Sequence, residues 1–271
     1  MTVRVELLII GNELLSGHTL DTNSQWLAQQ LLEIKLPVNQ ILVIEDQVEV
    51  IATAIKSSVR RQTNLLITSG GLGPTFDDLT ASGLALAADT HLEMNPLALK
   101  MVSRRYKELQ VQRLVETAEL TPSRRKMAKL PPKATPIPNS VGSAPGIRMQ
   151  LENTLIFCLP GVPQELYAMF IGAVIPMITS LSEKVIEQDT VQVPILDESV
   201  LAPLIDQVMS DKQGVYLKSL PRPYQSRQPL WVALTVTAST KDEASSLLSI
   251  TRRQLEKLTH AHRQCELPLD N

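Results

Sequence analysis

The sequence predicts an α/β domain built on a mainly parallel sheet, followed by a smaller α+β domain. Two observations carry this. Between Val3 and Ala88, short apolar runs and amphipathic segments alternate three times, as right-handed βαβ units do. After Ser182 the order becomes strand, helix, strand, strand, helix, which suits a small mixed domain. The expected domains are residues 1–182 and 183–271, with the boundary near Leu181 to Glu187.

The elements follow in order. VRVELLII, Val3 to Ile10, is apolar throughout and ends at a glycine, so it reads as a buried strand. Asp21 and Ser24 offer N-cap oxygens to a helix over Gln25 to Ile34. Val38 to Ile44 is a second strand. Val48 to Arg61 places Val48, Ile51, Ala52, Ile55 and Val59 on one helical face. Leu65 to Thr68 is a third strand, and Asp78 to Ala88 the next helix. Pro96 to Leu109 reads as a helix, and the proline-rich LPPKATPIPNSVGSAPG as loop or edge strand. GIRMQ and TLIFCLPG flank Leu151 to Asn153 as a hairpin, and LPGVP opens a helix over Pro163 to Ile178. In the second domain, VIEQDTVQVPI, GVYLKSL and PLWVALTVTAS are strands. Glu198 to Met209 and Lys241 to His260 are helices.

The bulk numbers bound the function. The 271 residues, 44% hydrophobic and 20% charged, describe an ordinary globular chain. A net charge of −2 lacks the basic field of a dedicated nucleic-acid binder. Two distant cysteines give no disulfide framework, which suits a reducing cytoplasm. The N-terminus lacks the features of a signal peptide. The greasiest segment, LYAMFIGAVIPMI, is too short for a membrane span. Neither a nucleic-acid nor a membrane partner is therefore expected.

Chemistry concentrates at strand ends. GGLGPTFDDLT, Gly70 to Thr80, follows the third strand. Parallel α/β sheets place ligands beyond the carboxyl ends of their strands. Glycines there let backbone N–H groups approach an anion closely. The stretch is not a P-loop, and Phe76 breaks the dinucleotide fingerprint. Taken alone, it is equally a tight turn in which Thr75, Asp77 or Asp78 caps the next helix. But GNELLSG, Gly11 to Gly17, follows strand one, DTNS opens the next helix, and IEDQ, with Glu45 and Asp46, ends strand two. Turns and caps explain each cluster singly better than they explain three on one edge.

With PNSVGSAPG and LPGVPQEL, these motifs resemble, in order over residues 3 to 180, the N-terminal region of the CinA (competence-damage-inducible) family. That region is part of the MoaB/MogA molybdopterin-binding superfamily. Residues 185 to 260 resemble the small domain that follows it in CinA proteins. The fused amidase domain of full-length CinA proteins has no counterpart here, so nicotinamide-mononucleotide deamidation is not expected. The resemblance implies a three-layer α/β fold, a cytoplasmic homo-oligomer (dimer or trimer), and a small-molecule nucleotide or pterin ligand. It implies a metal-dependent pyrophosphatase acting on ADP-ribose or a dinucleotide such as FAD, with Mg²⁺ or Co²⁺ as cofactor and K⁺ as a further candidate. The alternatives are a molybdopterin-binding or molybdopterin-adenylylating protein, and a non-catalytic binding module. The family's two acids match Asp46 and Asp78, as metal ligands and catalytic groups, with Asp77 the adjacent acid. SRRKMA stands where the family has NNRKQA, which with Phe76 departs from its pattern at Ser123, Arg124 and Met127.

The remaining candidates have chemical roles and plainer ones. Gly11 and the amides of Gly70, Gly71 and Gly73, with Thr75, suit phosphates. Asn12 and Glu13 suit metal or ribose, or only end a strand. Asp21 and Asn23 suit the nucleotide, though N-capping alone accounts for Asp21. Arg125 and Lys126 reach for phosphates or are solvated charges; the segment Arg104 to Arg125 would then cross to a neighbouring subunit. Ser140, Gly142 and Ser143 form a phosphate loop or a surface turn. His18 is a general-base candidate near the first loop. His260, His262 and Cys265 form a weak candidate zinc tail.

Overall fold

The computed structural model describes residues 3–181, 185–210, 212–220 and 228–266, without the side chains of Ser180 and residues 263–266. The chain divides into two compact units, Met1–Ser182 and Glu183–Asn271. In the first, β1 (Val5–Ile10) leads into a single turn, α1 (Asn12–Leu15), then α2 (Asn23–Glu33), β2 (Val38–Ile44), α3 (Val48–Arg60), β3 (Leu65–Ser69) and α4 (Thr80–Ala87). A short strand β4 (Glu93–Met94) precedes α5 (Pro96–Val111), α6 (Pro122–Lys126) and β5 (Lys129–Leu130). Then come β6 (Thr135–Ile137), β7 (Gly146–Leu151), β8 (Thr154–Leu159) and α7 (Pro163–Met169). A π-helical stretch, Phe170–Val174, continues α7 into α8 (Ile175–Ile178).

The sheet order is β2-β1-β3-β8-β7-β6. The first four strands run parallel; β7 and β6 run antiparallel. The hairpin joining β7 to β8 turns through Glu152, at φ 51°. Every residue of β1 is buried, because helices cover both faces of the sheet. Strand alternation sends Leu8 and Ile10 to one layer, with Ile51, Ile55, Leu84 and Val102. It sends Val5, Leu7 and Ile9 to the other, with Leu27, Leu31, Leu166 and Phe170. The predicted helix over Pro163 to Ile178 widens into its π-helical stretch just before Pro176. That residue cannot donate to the Gly172 carbonyl, and its ring crowds that carbonyl. Cys158 is a core residue whose thiol is pushed up to about 12 by burial, so it is chemically inert.

One charge sits inside. Glu6 is 2% exposed on β1. Arg61 donates to it at 2.7 and 3.0 Å, Arg4 at 2.8 Å and Ser58 at 2.8 Å. Burial pushes its carboxyl up, but these bonds outweigh that and hold it at about 2. Its folded value is depressed, so its stabilisation is complete above the unfolded value and lost as pH falls through the folded one. Urea unfolding should therefore show Glu6→Gln less stable than wild type by about 2–4 kcal/mol at neutral pH. The gap should close between pH 4.5 and about 2.

The second unit holds β9 (Val185–Val193), α9 (Glu198–Met209), β10 (Val215–Ser219), β11 (Leu230–Ala238) and α10 (Lys241–Glu266). Its antiparallel sheet runs β10-β11-β9 and buries alternate β11 residues, among them Val232, Leu234 and Val236. The side chain of Cys265, part of the expected zinc tail, lies outside the described residues. Among the described residues no helix is long and apolar enough to cross a membrane.

Candidate functional site

The chain leaves β1 for β2 on one side and returns to β3 on the other. Strand order therefore reverses at the carboxyl ends of β1 and β3, where open α/β sheets form a crevice. A cavity of about 470 Å³ lies there, walled by the loops after β2, β1, β3 and β8 and by Ser143 and Ala144.

The glycines make the floor possible. Gly70 has φ 111°, and a Cβ on it would stand 2.1 Å from the Ile10 carbonyl oxygen at the end of β1. Gly71 has φ 67°, and its Cβ would meet the Thr80 hydroxyl at 2.3 Å. That hydroxyl donates to the Gly70 carbonyl at 2.7 Å, and the Thr80 N–H to the Gly71 carbonyl at 3.0 Å. Thr80 thus ties the glycine turn to the start of α4. The Gly70 N–H is committed to the Leu159 carbonyl at 3.0 Å. The amides of Gly71, Leu72 and Gly73 make no hydrogen bond among the described residues, and all three residues line the cavity.

Five carboxylates line the cavity: Glu13, Asp46, Asp77 and Asp78 from the loops after β1, β2 and β3, and Glu165 from α7. Asn12 holds Asp46 reciprocally; its N–H donates to Oδ2 at 2.8 Å, and its side-chain oxygen accepts the Asp46 N–H at 3.3 Å. Burial raises the Asp46 carboxyl above its ordinary value; the Asn12 N–H opposes this, while the charges of Glu13, Asp77 and Asp78 add to it. Asp78 Oδ2 accepts the Thr75 N–H at 2.8 Å and the Thr75 hydroxyl at 2.6 Å. The same hydroxyl contacts Asp77, whose carboxyl it holds below the ordinary value. Asp78 therefore braces the turn, and α4 begins at Thr80 rather than at Asp78 as the sequence predicts. Lys126 donates to the Thr75 carbonyl from α6 of the same chain.

Other predicted residues have structural work. Asp21 accepts the Ser24 N–H at 3.0 Å, one residue ahead of Thr22 at the N-cap of α2. Asn23 is buried within α2; it donates to Ser69 Oγ at 3.0 Å and to the Gly161 carbonyl at 2.7 Å, joining the β3 and β8 loops. Neither lines the cavity. Arg125 donates to the Leu120 carbonyl and Arg124 stacks on Tyr106, so both are engaged within their own chain. Ser140 is exposed and outside the cavity wall; Gly11 and Ser143 are within it. The Gly142 N–H is taken by Asn139 Oδ1 at 2.8 Å. His18 pairs with Ser16 at 2.7 Å on the exposed first loop. Met127 is a core side chain, while Phe76 is 91% exposed at the tip of its loop. Glu165 on α7 lines the cavity, although LPGVPQEL reads in sequence only as a turn opening a helix.

The profile of the family described as "Probable molybdopterin binding domain" matches residues 6–180. Protein PAE0875 of Pyrobaculum aerophilum is 37% identical over 254 residues, 93% of this chain and 92% of its own. Protein SSO0103 of Saccharolobus solfataricus is 33% identical over 253 residues, 93% and 90% of the two chains. Among solved structures, the protein CinA of Thermoplasma acidophilum, described as of unknown function, is 33% identical. It aligns at a TM-score of 0.58 over 65% of this chain and 98% of that one.

Proposed function

Because this chain belongs to the family of probable molybdopterin binding domains, and within it to the CinA proteins, we propose that it is a divalent-metal-dependent nucleotide pyrophosphatase with ADP-ribose as its first substrate. One observation carries this reading: five carboxylates and three residues with uncommitted amides line one cavity at the sheet's switch point. Among the described residues no three His, Cys, Asp or Glu side chains stand close enough to hold an ion alone. Asp46 and Asp78 would supply two oxygen ligands, with phosphate and water oxygens completing the shell, as Mg²⁺ prefers. The unneutralised repulsion at Asp46 fits that role. The ion would neutralise phosphate charge and lower the pKa of a bound water.

The chain's own groups do the rest. The amides of Gly71 to Gly73 orient the phosphates. Attack by water forms one P–O bond and breaks the bridging P–O bond, giving two phosphate monoesters. The water proton would pass to Glu13, a cavity carboxylate outside the two-ligand set.

Incubation with ADP-ribose and FAD under Mg²⁺, Co²⁺ and K⁺ tests the reading. Metal-dependent cleavage that EDTA abolishes is expected. No cleavage under any metal would overturn it. Adenylylation of molybdopterin with ATP would favour that alternative, and binding without turnover a non-catalytic module. A homodimer or trimer is part of the proposal, and a strict monomer on gel filtration would remove that part.

Asp46 also sets a pH dependence. A raised pKa leaves the proton in place to higher pH, so the ion's two-carboxylate seat is complete only above it. The gain in melting temperature on adding Mg²⁺ should grow as pH rises through this window. Asp46→Asn should leave a small gain that does not vary with pH.

A further inference from the structure

Glu165 stands apart from the acids at the metal end. Along the sheet edge the site residues follow strand order: Asp46 after β2, Glu13 after β1, Gly70 to Asp78 after β3, and Glu165 after β8. Strands lie about 4.8 Å apart, so the β2 and β8 ends are separated by about 14 Å. That is longer than a pyrophosphate group. The β8 end must meet whatever flanks the phosphates in the ligand.

The Glu165 carboxylate is held for such a contact. Asn139 Nδ2 donates to its Oε2 at 2.7 Å and to the Ala144 carbonyl at 2.9 Å. Asn139 Oδ1 accepts the N–H groups of Val141 and Gly142 at 3.1 and 2.8 Å. Arg105, whose side chain is 17% exposed, locks the same loop by donating to the Gly142 carbonyl at 2.9 Å. The loop lies so close that a Cβ on Gly142 would sit 1.9 Å from Glu165 Oε2. A carboxylate has about four acceptor positions, and Asn139 fills one. Among the described residues Glu165 forms no ion pair, and Oε1 accepts no bond.

An anion without a cation partner repels phosphate and accepts only donors. In a nucleoside diphosphate sugar, the donors next to the phosphates are ribose hydroxyls. We infer that Glu165 is the specificity residue that reads a vicinal diol of the ligand. The inference rests on the pyrophosphatase reading and names the ligand part that site selects.

The test uses the methylene analogue of ADP-ribose, whose bridging CH₂ prevents turnover, and the same compound after periodate cleavage and borohydride reduction. The second keeps the base and both phosphorus groups but has no ring diol. Calorimetry with Mg²⁺ should show wild type binding the intact analogue about 10- to 100-fold tighter, as hydrogen bonds to a charged group allow. Glu165→Gln keeps an oxygen for Asn139 and should cut that ratio to a few-fold by weakening the intact analogue alone. Glu165→Asp, which keeps the charge but withdraws it, should be intermediate, and it reads the same ratio should the glutamine variant not fold. An unchanged ratio, or equal weakening of both ligands, overturns the assignment while ADP-ribose turnover by wild type leaves the pyrophosphatase reading standing. Binding of neither analogue by wild type overturns both. Weakened pterin binding with the nucleotide ratio intact assigns Glu165 to a pterin's amino and ring N–H donors, against the diol.

Discussion

Replacing Asp78 with asparagine is expected to lower kcat for ADP-ribose by about 10²–10³-fold, the scale for losing one preorganised electrostatic group. The change isolates charge from shape. Asp78 Oδ2 accepts two bonds from Thr75, at 2.8 and 2.6 Å, and an amide oxygen can accept both. The turn should therefore stand, with a melting temperature close to wild type, while one of the two proposed metal ligands loses its charge. Asp78→Ala removes the brace as well and should lose both activity and thermal stability. Asp77→Asn is the contrast. Asp77 is exposed and its carboxyl meets the Thr75 hydroxyl, so a decrease of no more than about ten-fold is expected, the lower end for groups outside the direct ligand set. Steady-state rates across a Mg²⁺ titration separate the cases: a lost ligand raises the Mg²⁺ requirement, and a lost brace does not. Full activity in Asp78→Asn would remove this carboxylate from the mechanism.

The sequence shows the strand ends but not which side chains meet beyond them. Apolar runs such as VELLII and LLITS locate β1 and β3 because burial on both faces leaves no polar position. GGLG reads as a close backbone approach because only glycine tolerates one, and the approach is to Ile10. Glu165 is not legible, since its place depends on β8 pairing with β3, a contact between residues far apart in the chain. Arg105 is hidden for the same reason: on a basic amphipathic helix it looks like a solvated charge, and only the fold brings it to the Gly142 carbonyl. Asn23 was legible as polar and close to a site, but not as a buried tie between two loops. Met127 departs from the family's amide because it fills the core beneath α6, not because it faces ligand. For Phe76, nothing in the structure explains the aromatic ring.

Gly70→Ala should have the largest effect on the fold of any single methyl group added at the site. Residue 70 has φ 111°, outside the regions an L side chain enters at low cost, and the strain is about 1–3 kcal/mol. The new Cβ would also fall 2.1 Å from the Ile10 carbonyl oxygen, which cannot swing aside because β1 is paired on both sides, to β2 and to β3. Relieving that clash shifts backbone, at about 1–3 kcal/mol more. The sum is a large share of the roughly 5–15 kcal/mol that holds a domain together. Urea unfolding should show it directly. If the fold survives, the three free amides after Gly70 move with it, so ADP-ribose turnover should fall further than stability alone explains. Gly172→Ala is the internal control: nothing stands within 4 Å of its added Cβ in a helical stretch, so it should raise stability by about 0.4–1 kcal/mol and leave turnover unchanged. A Gly70→Ala protein as stable and active as wild type would mean that the β1 and β3 ends are not held as close as the phosphate floor requires.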